Sequence, residues 1–132
     1  MQFAFRCVAV HNLSWHVGVI QMAFRWMNCL LLRELTPAMN IRLWDTYLAE
    51  SPGKFAVLHV YVCAAMICHF SARLQTLDFQ DLIVFLQHMQ TYWEQVVSAE
   101  MQLQQILAQA FIWMSAFEDR GRGPGRRLGL GM

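Results

Sequence analysis

Apolar residues recur along this 132-residue chain at intervals of three and four, the spacing of one face of an α-helix. Nowhere do they alternate with period two for long enough to make a convincing strand, and residues 57–63 are the only ambiguous stretch. In residues 18–35, Ile20, Phe24, Met27, Leu31 and Leu35 form one stripe, so the spacing predicts a helix that stops at Thr36-Pro37. The same pair opens the next helix, with Thr36 as N-cap and Pro37 at the first position, where its missing N–H costs nothing. Ile41, Trp44 and Leu48 then share a face until Ser51-Pro52-Gly53 breaks the chain. Residues 55–74 are apolar nearly all round, which predicts a helix buried on several sides at the centre of the core. Asp78 is placed to cap a helix carrying Phe79, Leu82, Ile83 and Leu86. Thr91-Tyr92-Trp93-Glu94 has the form of a capping box and predicts a short helix starting there. Ser98 is placed to cap the last helix, whose stripe is Leu103, Leu107, Ala110, Met114 and Phe117.

Composition changes this picture in one respect. Charged residues make up 14% and hydrophobic residues 57% of the chain, against roughly 25% charged in an average soluble domain. Too few charges remain to coat a normal surface, so either a membrane or a missing covering part is implied. Length argues against a membrane helix, because spanning takes about 20 apolar residues. The best run, from Phe55 to Phe70, is shorter and contains His59 and His69. No secretory leader is legible either, since His11, Asn12, Ser14 and His16 interrupt the N-terminal apolar residues. The expectation is a cytoplasmic chain with Cys7, Cys29, Cys63 and Cys68 as reduced thiols. From Arg120 the sequence becomes rich in glycine and arginine. That divides the chain into a helical body, residues 1–119, and a disordered tail, residues 120–132. A net charge of +1 and a tail without interleaved aromatics argue against a nucleic-acid partner.

Candidate chemistry is sparse. His59 and Cys63 lie four apart on a helix, with Cys68 and His69 nearby, but at about 100° per residue one helix cannot aim all four at one ion. They read as core residues, and no metal or cofactor is expected. No glycine-rich loop follows a strand, and no Ser, Cys or Asp stands in a local motif with a histidine base, so no catalytic residue is assigned. The charges that stand out are Arg33-Glu34 and Arg42-Asp45, inside otherwise apolar helices. Buried ionic groups must be paired, so the expectation is a clamp between helices, Glu34 with Arg42 or Arg33 with Asp45. One short run repeats: Gln2-Phe3-Ala4-Phe5-Arg6 returns as Gln21-Met22-Ala23-Phe24-Arg25. Two copies do not make a solenoid.

Several runs occur together in a recognisable order: Phe24-Arg25-Trp26-Met27-Asn28, Leu32-Arg33-Glu34-Leu35, Ile41-Arg42-Leu43-Trp44-Asp45-Thr46-Tyr47-Leu48, His59-Val60-Tyr61-Val62-Cys63-Ala64-Ala65, Asp78-Phe79-Gln80-Asp81-Leu82 and Ala110-Phe111-Ile112-Trp113. In that order and approximate spacing the chain resembles the C-terminal half of a TBC domain, the domain of Rab GTPase-activating proteins. The wording is similar to the branch of the family with Golgi-acting yeast members. The resemblance implies an all-α, multi-helix array and a Rab-type small GTPase as partner, at the Golgi or another endomembrane. Arg33, Glu34, Arg42, Trp44 and Asp45 are, by that resemblance, structural motif residues.

The family acts through an arginine finger in an IxxDxxR motif, which neutralises charge on the transferred phosphoryl group, and a glutamine in a YxQ motif, which positions water. The resemblance places both in the N-terminal half of the domain. Neither occurs here. Ile41 and Asp45 are one residue too far apart, and Tyr47, Tyr61 and Tyr92 are followed two positions on by Ala49, Cys63 and Glu94. Residues 7–25 read as an insertion, because the family's equivalent of Gln2 to Arg6 runs directly into Trp26-Met27-Asn28. Around Gln90 to Ala99 the family's usual Pro-Thr turn is replaced by Gln90-Thr91-Tyr92. The expectation is a truncated, catalytically inactive member of the family. Its alternatives are a non-catalytic helical interaction module or a fragment unable to fold alone, with self-association through uncovered apolar faces.

Overall fold

A computed structural model of the chain describes residues 13–121, and these form seven helices with no strand among them. In chain order they are α1 (Leu13–Cys29), α2 (Pro37–Ala49), α3 (Phe55–His69), α4 (Ser71–Thr76), α5 (Phe79–Gln87), α6 (Met89–Gln95) and α7 (Ala99–Gly121). The all-α expectation holds, and residues 57–63 are helical. The tail beyond Gly121, and the first copy of the repeated run, lie outside the described residues.

Helix α3 is the centre of the array, as its all-round apolarity implies. It makes its most extensive interface with α7, and α1, α2 and α4 also pack against it. Leu58, Val62, Ala65 and Met66 face inward from α3 toward Leu103, Ile106, Leu107, Ala110 and Met114 of α7, all buried in one core. The predicted stripe of α7 is therefore the core stripe as far as Met114. Phe117 lies at the rim, stacked on Tyr61 with centroids 5.9 Å apart.

The caps follow local chemistry. Thr36 Oγ1 accepts from the Met39 N–H at 3.4 Å, with Pro37 at the first helical position. Asp78 Oδ1 accepts from the Asp81 N–H at 2.8 Å. α7 starts at Ala99, directly after Ser98, but the Ser98 hydroxyl accepts from the Gln102 side chain (3.1 Å). The Ser51-Pro52-Gly53 break ends in a left-handed Gly53, φ 87°, a conformation glycine adopts without Cβ strain.

Three expectations are corrected. The helix predicted over residues 55–74 is two helices, broken at Phe70. The Phe70 N–H turns back to the Met66 and Cys68 carbonyls, and its ring stands edge-on to Phe85, Tyr92 and Trp93. Packing of that aromatic cluster overrides the local helical pattern. The capping box at Thr91 is not used: α6 begins at Met89, and Thr91 already donates its N–H to the His88 carbonyl. Met89 and Trp93, four apart, are both buried, and they set the helix start. The third correction concerns residues 18–35. α1 ends at Cys29, and Leu30 and Leu31 both take left-handed φ values, 52° and 62°. Its buried line is Gly18, Met22 and Trp26, while Ile20, Phe24 and Met27 of the predicted stripe point outward, with Phe24 72% exposed; Leu31 and Leu35, beyond the end of α1, are buried.

Gly18 is where α1 meets α5. A Cβ there would lie 2.8 Å from Ile83 Cδ1 and 3.2 Å from Phe79 Cε2, so the missing side chain permits the close approach of the two helices.

Candidate functional site

The charged motif residues separate into two environments. Glu34 is fully buried, whereas Arg33, Arg42, Trp44 and Asp45 are on the exposed side of the chain. The clamp inferred from sequence does not form. Glu34 Oε1 lies 2.6 Å from Nη2 of Arg25, and Arg42 donates instead to Thr46 Oγ1 at 3.2 Å, one turn along its own helix. The reason is the corner after α1. By reversing the chain at Leu30 and Leu31, it returns Glu34 toward the last turns of the same helix, where Arg25 stands. The contact is close but off the hydrogen-bond axis, so both Glu34 oxygens and Arg25 Nε are buried without an aligned partner.

In the sequence Arg25 stands only within the repeated run and the family-like run Phe24 to Asn28, with nothing to mark it as the partner of Glu34. The usable signal was that a buried carboxylate needs a cation, and Arg25 becomes a candidate once the chain reverses. On the outer face of α2, Ile41, Trp44 and Leu48 run beside Arg42 and Asp45, all exposed. They share a face as the periodicity predicts, but the helix buries the other one, through Met39, Asn40, Leu43 and Tyr47. Asn40 closes the corner by donating its side-chain amide to the Leu32 carbonyl (3.0 Å) and the Leu35 carbonyl (3.2 Å).

Next to this corner lies a buried polar chain. The His59 Nε2 faces the Trp26 carbonyl at 3.0 Å and Nδ1 faces the Tyr47 hydroxyl at 2.6 Å. A carbonyl can only accept, so Nε2 carries the proton and Tyr47 donates to Nδ1. This one neutral imidazole ties α1, α2 and α3 together. Cys63 Sγ lies 3.7 Å from Nε2. Burial, and then the Glu34 carboxylate, push the Cys63 thiol up to about 12, which makes it a poor nucleophile. Burial also lifts Tyr47 far above its usual phenol range. His69 points elsewhere, to Gln102 Oε1 at 2.9 Å. Among the described residues no group of three or more His, Cys, Asp or Glu could hold a metal ion, and none of their helices is long and apolar enough to cross a membrane.

Burial holds His59 below its ordinary value, against the opposing hydrogen bond to Trp26. Its stabilisation is therefore complete above the unfolded value of about 6.5 and is lost as pH falls below it, since the unfolded chain then binds the proton first. The unfolding free energy from urea titrations should fall from pH 7.5 to 5.5, by at most about 1.4 kcal/mol per pH unit for this group. A flat profile would mean that His59 is solvated.

No family model matches the chain. It is 43% identical over 105 residues to the GTPase-activating protein gyp1 of Schizosaccharomyces pombe, covering 80% of this chain and 20% of that protein. To TBC1 domain family member 22A of Homo sapiens it is 42% identical over 105 residues, covering 78% and 19%. To the GTPase-activating protein GYP1 of Saccharomyces cerevisiae it is 31% identical over 169 residues, covering 83% and 26%. The chain thus spans about a fifth to a quarter of the length of these relatives. Similarity to several of them over most of its length, on an all-α array, makes the chain a partial member of the TBC family of GTPase-activating proteins.

Proposed function

We propose that this chain is the non-catalytic, C-terminal portion of a Rab GTPase-activating domain, whose intact form stimulates GTP hydrolysis by a Rab on the cytoplasmic side of the Golgi or another endomembrane. The observation that carries the reading is the pairing of homology with GTPase-activating proteins and a sequence in which neither the IxxDxxR nor the YxQ pattern occurs. The cluster of Arg25, Glu34, His59 and Tyr47 acts as scaffold. Glu34, His59 and Tyr47 are buried, and His59 is held between the Tyr47 hydroxyl and the Trp26 carbonyl. Sequencing of genomic DNA and transcripts upstream of Met1 tests the reading. In-frame finger motifs there support a partial product of a longer gene, and a transcript that starts at Met1 with no such motifs upstream contradicts it.

A second reading, a free-standing helical interaction module, is favoured by the outward stripes of α1 and α2, where Ile20, Phe24, Met27, Ile41 and Leu48 are all exposed. On either reading these faces bury themselves. Apolar burial contributes about 25 cal/mol per Å², so a few hundred Å² outweighs much of the entropy of association. Light scattering is expected to show association that keeps growing with concentration in the micromolar range, and Phe24→Glu is expected to suppress that open-ended growth. A monodisperse monomer that binds no hydrophobic dye would contradict this.

A further inference from the structure

The corner that joins α1 to α2 is held in a conformation its residues do not favour. α1 ends with the Leu31 N–H donating to the Trp26 carbonyl at 3.3 Å, a six-to-one closure in which Leu30 occupies the left-handed position that is usually glycine. Leu31 follows in the same region, φ 62° after 52°, so two successive Cβ atoms crowd the backbone. A second, independent feature lies at the same place: the buried Arg25–Glu34 pair lacks aligned hydrogen bonds on both carboxylate oxygens and on Arg25 Nε.

The sequence of the corner favours another conformation. Residues 30–35 contain no glycine, proline or asparagine, and Leu31 and Leu35 continue the helical spacing of Ile20, Phe24 and Met27. A straightened corner makes one helix from α1 to Leu35, ending naturally before Thr36-Pro37. It also carries α1 away from its seats on α5 and α3. Those seats are specific: Gly18 against Ile83 and Phe79, and the Trp26 carbonyl against His59. A second copy offers an α1 that fits them identically. Short strained hinges favour this exchange, since the swapped form keeps the packing and sheds the strain.

We propose that the chain forms a dimer by exchanging α1 with a second copy, residues 30–35 serving as the hinge. The proposal rests on the self-association inferred above only in that both require an oligomer; the exposed stripes play no part in it. Leu30→Gly and Leu30→Ala distinguish the two. Both variants remove the same half-buried side chain, but glycine favours the bent corner and alanine the straight helix. The dimerisation constant of the alanine variant is therefore expected to exceed that of the glycine variant by roughly tenfold or more. The measurement is size-exclusion chromatography with light scattering on the whole chain under reducing conditions, with Phe24→Glu leaving the dimer unchanged. Equal constants for the two Leu30 variants, loss of the dimer in Phe24→Glu, or monomeric wild-type chain would overturn the proposal. Should a variant fail to fold by circular dichroism, dilution of wild-type dimer decides. A swapped dimer separates slowly, because α1 must undock first, and dissociation within the mixing time contradicts the exchange.

Discussion

Replacing Arg25 by alanine is expected to lower the stability of the chain by about 3 kcal/mol, because it strands a fully buried carboxylate without its cation. Glu34 has 0% side-chain exposure and its partner 22%. Water therefore reaches the arginine more readily than the glutamate it serves. For a body of this size such a loss lowers Tm by about 10 °C or more. The loss arises from the unpaired charge rather than from the pair's net worth, so adding Glu34→Gln should recover part of it. Arg42→Ala, by contrast, removes an exposed guanidinium bonded to Thr46 and should stay within about 0.5 kcal/mol of wild type. Thermal unfolding of these variants checks the assignment. A large effect at Arg42 with none at Arg25 would return the clamp to the pairing inferred from sequence.

What the sequence could and could not reveal follows from the range of each interaction. Thr36 and Asp78 are legible as caps because the bond each makes reaches only three residues along the chain. The α7 stripe is legible because Leu103, Leu107, Ala110 and Met114 keep the three-and-four spacing without a break, even though Met101 and Ile112 are exposed on the same helix. α1 is different. It carries apolar residues on two sides, one through Met22 and Trp26 and one through Ile20, Phe24 and Met27, and periodicity alone cannot choose which is buried. The choice is made by Gly18, whose lack of a side chain lets α5 approach one side only. The turn at Leu30 was invisible because leucine carries no signal for a left-handed residue. With the turn hidden, the Arg25–Glu34 pair was hidden too. Thr91 shows the reverse error, a local pattern overruled by the burial of Met89 and Trp93. The family resemblance was legible at a coarser level, because runs such as Ile41 to Leu48 and His59 to Ala65 keep their order whatever the turns between them do.

The second large effect concerns activity. Phosphoryl transfer from GTP needs a cation to offset charge on the γ-phosphoryl group and a polar side chain to orient the attacking water, and an arginine finger is worth about 10³ to 10⁵ in rate. In this chain Arg25 is committed to Glu34, and Arg73 lies over the rings of Phe85 and Tyr92, 4.7 and 5.2 Å from their centroids. Arg33 and Arg42 are exposed but have no companion glutamine in a YxQ setting. The most direct measurement is single-turnover hydrolysis by a panel of GTP-loaded Rab proteins, titrated with chain whose helicity has been verified. The intrinsic rate is expected at every concentration. Saturable acceleration abolished by substituting a single arginine of this chain would contradict it.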